Sequence, residues 1–317
     1  MPARFSAALV MVLWASCYPL ITIGLDSAPH LTFAALRAVI AGMTLVGFAA
    51  LLRQPLPRDG PTWGWISLAG FGMTGLGYYG MFHAAEFVAP GLATVIANSQ
   101  PLIAAVLAFL LLKERLSAKG WIGLGIGFLG IAVIGAPQIA DGNRSSSLEG
   151  LAYVLLAASG VAVGNIAIKK ISKKADAAVA MGLQLLIGAV PLALIASLTE
   201  DPARIDWSLR FIASLAGLSI PGTAIAFWLW QYTLGKIELT HANVFSFLVP
   251  VFGLTIGVAF FGERVTPLMA LGTAIATAGV ILTSARLPKP TPNSGNADEG
   301  SFQRRGAVSE ERDQSGI

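Results

Sequence analysis

Charge is what this chain of 317 residues has least of. Only 12% of its residues are Asp, Glu, Lys or Arg, while 55% are hydrophobic; a soluble domain carries roughly a quarter charged residues. Ten of the 38 charges lie from Arg286 onward, which leaves 28 for the first 285 residues. A water-facing surface cannot be built from so few. A soluble enzyme, a nucleic-acid binder and a disordered chain are therefore excluded, in spite of a net charge of +4. Cysteine is nearly absent too. Cys17 stands alone, so no intrachain disulfide can form, and the simple reading is a small buried thiol. Histidine occurs three times, at His30, His83 and His241, far apart in the sequence. There is no G-x-S-x-G stretch and no His/Asp metal set, so neither enzymatic chemistry nor a cofactor or metal is expected. Two matches to G-x-G-x-x-G, at Gly75 to Gly80 and Gly125 to Gly130, fall inside apolar helices. A dinucleotide fingerprint needs a strand-to-helix turn.

What is there is long apolar sequence. A membrane-spanning helix needs about 20 mostly apolar residues, and ten such segments can be drawn: 5–25, 31–52, 62–86, 91–112, 119–137, 148–168, 176–198, 208–234, 240–261 and 267–285. The connections are short, and no soluble domain fits between spans, which leaves a sensor or scaffold nothing to report with. The stretch 287–317 is rich in Pro, Ser, Gly and balanced charge and reads as a disordered tail. With the N-terminus in the cytoplasm, 16 Lys and Arg fall on the inner side and 4 on the outer, with Arg37 left inside a span. The positive-inside rule thus predicts cytoplasmic termini in a multi-pass protein of the inner membrane, with lipid as its solvent. The cluster Lys169 to Lys174 reads as a topology anchor.

The chain also repeats itself. At an offset of 149 residues Ala93 maps to Ala242, Pro101 to Pro250, Glu114-Arg115 to Glu263-Arg264, Gly123 to Gly272 and Gly130 to Gly279. Earlier parts match more loosely, Leu36-Arg37 with Leu183-Gln184 and Ala15-Ser16 with Ala158-Ser159. Five spans per copy is an odd number, so the second copy must enter the membrane in the opposite sense. The expected fold is all-α, ten transmembrane helices in two inverted five-helix repeats, 5–137 and 148–286. Secondary transporters use this plan, with a site near the midplane between the halves.

Leu111-Leu112-Lys113-Glu114-Arg115-Leu116 with Gly123 and Gly130, and Phe260-Phe261-Gly262-Glu263-Arg264-Val265 with Gly272 and Gly279, resemble the repeat ends of the drug/metabolite transporter superfamily. The ten-helix EamA-type branch is the nearest likeness. Leu13-Trp14-Ala15-Ser16 resembles the start of such proteins, and Leu36-Arg37 the arginine of their second helix. The resemblance covers about residues 5–286. It implies a transporter that moves a small-molecule substrate such as an amino acid or drug, commonly outward, through a cavity lined by helices 1, 3, 4, 6, 8 and 9. Asn98-Ser99-Gln100-Pro101 occupies the stretch where aromatic amino acid exporters of the group carry extra Trp, which argues against that substrate.

The residues themselves suggest where chemistry lies. Pro101 and Pro250 fall mid-span at matching places, and a helix proline removes a hydrogen bond and kinks the helix. Either both helices bend around one cavity, or both kinks serve packing. Glu114, Arg115, Glu263 and Arg264 read as structural, capping helix ends or closing a face. Arg37 lies about 9 Å along a helix from the outer face, at a cost of about 2.5–3.5 kcal/mol were it at the bilayer centre. It either pairs with Glu86 or binds a substrate carboxylate. Gly75, Tyr79, His83 and Glu86 share one helix face. His83 is either a proton-coupling group or a packing residue. Trp14, Tyr18, Tyr79, His83, Asn98, Gln100, Asn165, Trp228, Gln231 and Asn243 are the candidates for a mostly uncharged cavity, suited to a small zwitterionic or amphipathic solute.

Overall fold

The computed structural model describes residues 3–112, 117–140, 144–237, 239, 242 and 244–284. Glu114, Arg115, Asn243 and the stretch 287–317 lie outside these residues. Everything described is helix and short turn. Cys17–Leu25 (α2) follows Ala3–Ala15 (α1) after a break at Ser16. Pro19 has no N–H to give the Ala15 carbonyl, and the Ser16 hydroxyl donates to the Leu13 carbonyl at 2.7 Å. His30–Leu51 (α3) is unbroken. Gly60–Ala69 (α4), a π-helical stretch Gly70–Leu76 and Gly77–Phe87 (α5) run on as one rod.

Pro90–Ala97 (α6) and Gln100–Leu107 (α7) are separated at Asn98 and Ser99. Pro101 leaves the Ala97 carbonyl without its helical donor, and the break is closed by tighter bonds from Asn98 N–H to Val95 and from Ser99 N–H to Ile96. Ala118–Ala140 (α8), Arg144–Ile171 (α9) and Ala177–Thr199 (α10) follow. α7 runs out in a short π-helical end, Ala108–Leu112, and Leu209–Ser219 (α11) and Ala226–Lys236 (α12) flank the second π-helical stretch that lies between two helices of one rod, Ile220–Ile225, with Pro221 at its start. A 3-10 turn, Val244–Phe247, leads into Leu248–Phe261 (α13) three residues before Pro250, and Pro267–Ser284 (α14) ends the described chain.

Six helical segments are long and apolar enough to cross a membrane: Phe5–Leu25, His30–Leu51, Pro90–Leu111, Leu148–Ile171, Ala177–Thr199 and Leu209–Lys236. Ala118–Ile134, Leu248–Phe261 and Pro267–Gly279 are shorter apolar helices. The expected third span, 62–86, is continuous helix but belongs to neither group. Its glycines, Thr74 and tyrosines lower its hydropathy, and it is packed between α9 and α10. Large apolar side chains such as Leu110, Leu129, Leu194 and Phe260 are exposed, as a lipid-facing surface requires. The chain is a multi-pass membrane protein.

Packing runs between the two halves of the sequence. α8 lies along α14, α3 along α10, the α4–α5 rod along α9, α6 along α13, and α1 along α12. Glycine permits the closest crossings. A Cβ on Gly130 would run into the Ala276 backbone, and one on Gly279 into the Gly127 backbone. Polar caps fix the ends. The Glu263 carboxylate accepts from Gly91 N–H at 2.8 Å at the start of α6, and Gly262 adopts a left-handed φ of 64° in the turn before it. Arg264 is exposed. The Lys169 ammonium donates to the Leu234 and Ile237 carbonyls, both at 2.7 Å, so this lysine caps α12 as well as marking a membrane face. Asp59 caps α4 through the Thr62 hydroxyl and N–H, which hold its carboxyl below the ordinary carboxylate value.

If the α8–α14 crossing depends on bare backbone, Gly130→Ala should destabilise the detergent-solubilised protein by about 1–3 kcal/mol, the usual cost of overpacking. A melting temperature equal to wild type would show that the two helices do not need this approach.

Candidate functional site

The α1–α2 and α6–α7 breaks and the first π-helical stretch border one cavity of about 120 Å³. Trp14, Cys17 and Tyr18 reach it from the α1–α2 break, Asn98, Gln100 and Pro101 from the α6–α7 break, and Met73 from the first π-helical stretch. Tyr78 and Met81 of α5, Phe227 of α12 and Arg37 of α3 complete the wall that matters for chemistry. Among the lining residues there is no Asp or Glu. Trp14 stacks edge-on against Phe227 with centroids 5.9 Å apart. Four buried groups in the lining have no hydrogen-bond partner in the protein: Trp14 Nε1, the Tyr18 hydroxyl, Asn98 Nδ2 and Gln100 Nε2.

Arg37 is 1% exposed, and its setting corrects one expectation. It does not pair with Glu86. Its Nε donates to Thr223 Oγ1 at 2.8 Å, and Thr223 belongs to the second π-helical stretch. One terminal nitrogen faces Cys17 Sγ at 3.4 Å and the other Met81 Sδ at 3.6 Å. The guanidinium lies 4.3 Å over the Tyr78 ring, a cation–π contact. The Cys17 thiol also faces the Leu13 and Gly222 carbonyls. Carbonyls only accept, so the sulfur keeps its proton and stays neutral. Every partner of Arg37 among the described residues is therefore uncharged.

Glu86 belongs to a separate cluster at one end of the bundle, and the histidines are not all apart. His30 Nε2 lies 3.0 Å from His83 Nε2. His30 Nδ1 is 2.9 Å from Glu86 and 3.5 Å from Glu200, and His83 Nδ1 is 2.8 Å from the Tyr79 carbonyl. Both Nδ1 atoms face groups that only accept, so each carries hydrogen. The Nε2–Nε2 contact then needs one further proton, shared by the two rings. His83 also stacks on Tyr153 of α9 at 4.8 Å, and Glu149 of α9 lies within electrostatic reach of Tyr153. Glu200 accepts from Leu31 N–H, Thr32 N–H and the Thr32 hydroxyl, which caps α3.

The other sequence candidates are scattered. Tyr79 and His83 sit in the end cluster, off the cavity wall. Asn165 accepts from Trp230 Nε1 at 2.7 Å, and Trp228 packs edge-on against Phe48; neither lines the cavity. Gln231 is 1% exposed, with both amide atoms unpartnered, and it too lies outside the lining. Met11, Met73, Tyr78, Met81 and Phe227 were not among the candidates. Met11 extends the Trp14–Tyr18 stripe by one helical step, a signal the sequence did carry. Tyr78 and Met81 are on the other side of α5 from the Tyr79–His83 face, and no polar atom of Met or Phe marks them.

Apolar helices interrupted around a cavity are a plan that secondary transporters use. The chain belongs to the EamA-like transporter family, whose model matches residues 1–136 and 148–285. It is 31% identical over 275 residues to a transporter of Synechocystis sp., covering 82% of this chain and 83% of that one. It is 29% identical to a probable amino-acid metabolite efflux pump of Salmonella typhimurium, covering 88% and 93%. A crystal structure matches its fold with a TM-score of 0.67 at 21% identity, over 88% of this chain and 95% of that one.

Cys17, the single cysteine, reports on closure. It is 2% exposed, so a small methanethiosulfonate should modify it far more slowly in the folded protein than in the SDS-unfolded chain. Equal rates would show that the cavity is open to solvent.

Proposed function

We propose that this protein is a secondary transporter of ten spans in two inverted repeats, 5–137 and 148–286, which exports a small solute from the cytoplasm by alternating access. The helix pairing supports the repeat. Spans 2 and 7, 4 and 9, and 5 and 10 pack against their own counterparts, while the 1–8 and 3–6 pairings exchange under the same two-fold relation. π-helical stretches at matching places in spans 3 and 8 and two matches to one family model point the same way. Export is favoured by the efflux role in the names of relatives. The Lys and Arg distribution supports reading both termini as cytoplasmic, and on that reading the His30–His83 cluster lies at the outer face.

The single observation that carries the function is the cavity at the helix breaks. Its volume of about 120 Å³ is close to the roughly 150 Å³ that accommodates benzene and below the roughly 300–1,000 Å³ of drug-sized sites. A small metabolite fits better than an amphipathic drug. Pro101 and Pro250 act as hinges, because helices already broken there can bend without losing further bonds.

Protons are the candidate coupling ion, and the histidine pair is where they act. The outer closure holds one shared proton between His30 and His83. Without that proton the two rings set lone pairs against each other at 3.0 Å, so the contact holds only while a proton lies there. Glu86, Glu200, Tyr79, Tyr153 and Glu149 are the groups facing the pair. Facilitated exchange is the second reading, favoured by the lack of any carboxylate on the cavity wall.

The test begins with the medium of cells overproducing the protein. An enriched small solute that then moves in proteoliposomes is expected. If no solute is enriched and none moves, the transport reading is wrong. For the coupling, His30→Ala and His83→Ala should each abolish the dependence of transport rate on outer pH, while both variants remain monodisperse. An unchanged pH profile eliminates the pair as the coupling site.

A further inference from the structure

The cavity is lopsided in its hydrogen bonding. Arg37 brings a full positive charge to the wall, and among the described residues it meets only Thr223, two sulfurs and aromatic rings. Breaking a buried ion pair is costly because it strands a charge; here the charge stands without an anion from the start. A guanidinium has five N–H donors. One goes to Thr223, one faces each sulfur, and each terminal nitrogen keeps another.

The wall has acceptors too, the Asn98 and Gln100 side-chain oxygens, the Thr94 and Ser246 hydroxyls and the Ala97 carbonyl, but the side-chain atoms left unpartnered in it are donors. The Trp14 indole N–H, Asn98 Nδ2 and Gln100 Nε2 are donors with no partner in the protein, joined by the Tyr18 hydroxyl. Tyr18 and Asn98 are 2% and 4% exposed, and all four line the cavity. Folded proteins leave few buried polar groups unpaired, so four around one cavity beside an uncompensated cation call for a common partner. That partner must be negative and rich in acceptor atoms.

We infer that the cavity binds a small organic monoanion, with its carboxylate on the free N–H groups of Arg37 and its acceptor atoms on Trp14, Asn98 and Gln100. The carboxylate meets the planar fork of the guanidinium in the bidentate geometry that arginine favours. The apolar body lies between the Trp14 and Phe227 rings and the Met11 side chain. A solute ammonium finds no lining carboxylate to pair with and shares the space with Arg37, so cations are rejected and zwitterions bind less well than the matching monoanion. The inference rests on the transport reading and narrows its solute from the zwitterionic or amphipathic class suggested by the sequence.

The test uses the full-length purified protein and three probes of one size: benzoate, benzamide and benzylamine. Ligands that bind the folded state raise its melting temperature. Benzoate should do so, while its neutral and cationic isosteres should not. Arg37→Gln should weaken benzoate binding roughly ten- to hundredfold, as expected for loss of a hydrogen bond to a charged group. If Arg37→Gln does not fold, Gln100→Glu supplies the second arm. A carboxylate on the wall should itself satisfy Arg37 and weaken benzoate binding to a similar extent. Benzylamine or benzamide binding as tightly as benzoate overturns the inference, as does benzoate affinity unchanged in the folded variant. Transport is scored separately. If benzoate binds through Arg37 but proteoliposomes move no solute, the transport reading fails and the anion site stands. If an amino acid zwitterion moves and benzoate neither binds nor competes, the transporter stands and the anion site fails.

Discussion

A guanidinium held inside an apolar bundle by neutral atoms alone is the constraint around which the rest is arranged. Arg37 sits on an unbroken helix, but everything that touches it comes from irregular backbone or soft side chains. Thr223 reaches it from the second π-helical stretch, Cys17 from beside the α1–α2 break, and Tyr78 and Met81 from the helix that follows the first π-helical stretch. Regular helices satisfy their own backbone and have little to offer a charge. Side chains therefore supply every contact of this cation, and the irregular backbone near it is tolerated because it lies inside the bundle rather than against lipid.

The interruptions follow from proline chemistry and glycine packing. Pro19 and Pro101 each fall where the preceding turn is released, and Pro250 follows a 3-10 turn in the same way. The crossings that hold the bundle, α8 on α14 above all, use glycine where backbones meet. The bundle is thus tightly crossed at its flanking pair and broken around its centre.

Much of this was legible in the sequence, for physical reasons that can be named. Span positions follow from apolar runs, and the breaks at Pro101 and Pro250 from the missing N–H. Trp14, Tyr18, Asn98 and Gln100 were marked by polar atoms in apolar surroundings, and they do line the cavity. The errors also share a cause. Tyr79 and Tyr78 are neighbours in sequence but about 100° apart on the helix, and a π-helical stretch just before them shifts the face that composition would assign. Arg37 was offered Glu86 because the two are both charged and near one face; the His30 contact that claims Glu86 joins residues 56 positions apart, and no local pattern encodes it. Methionine and phenylalanine in the wall carry no mark that separates them from the other apolar residues around them.

His30 and Arg37 stand on the same helix, two turns or about 10 Å apart, and Glu200 holds the first turn of that helix by three hydrogen bonds while lying 3.5 Å from the His30 ring. α3 therefore carries the histidine contact at one end and a fixed charge partway along. Linkage is reciprocal. If a proton at the contact alters how firmly a ligand is held at the charge, then the ligand alters the proton's affinity by the same factor. The protein with its cavity filled and the protein with it empty would then differ in their hold on that proton.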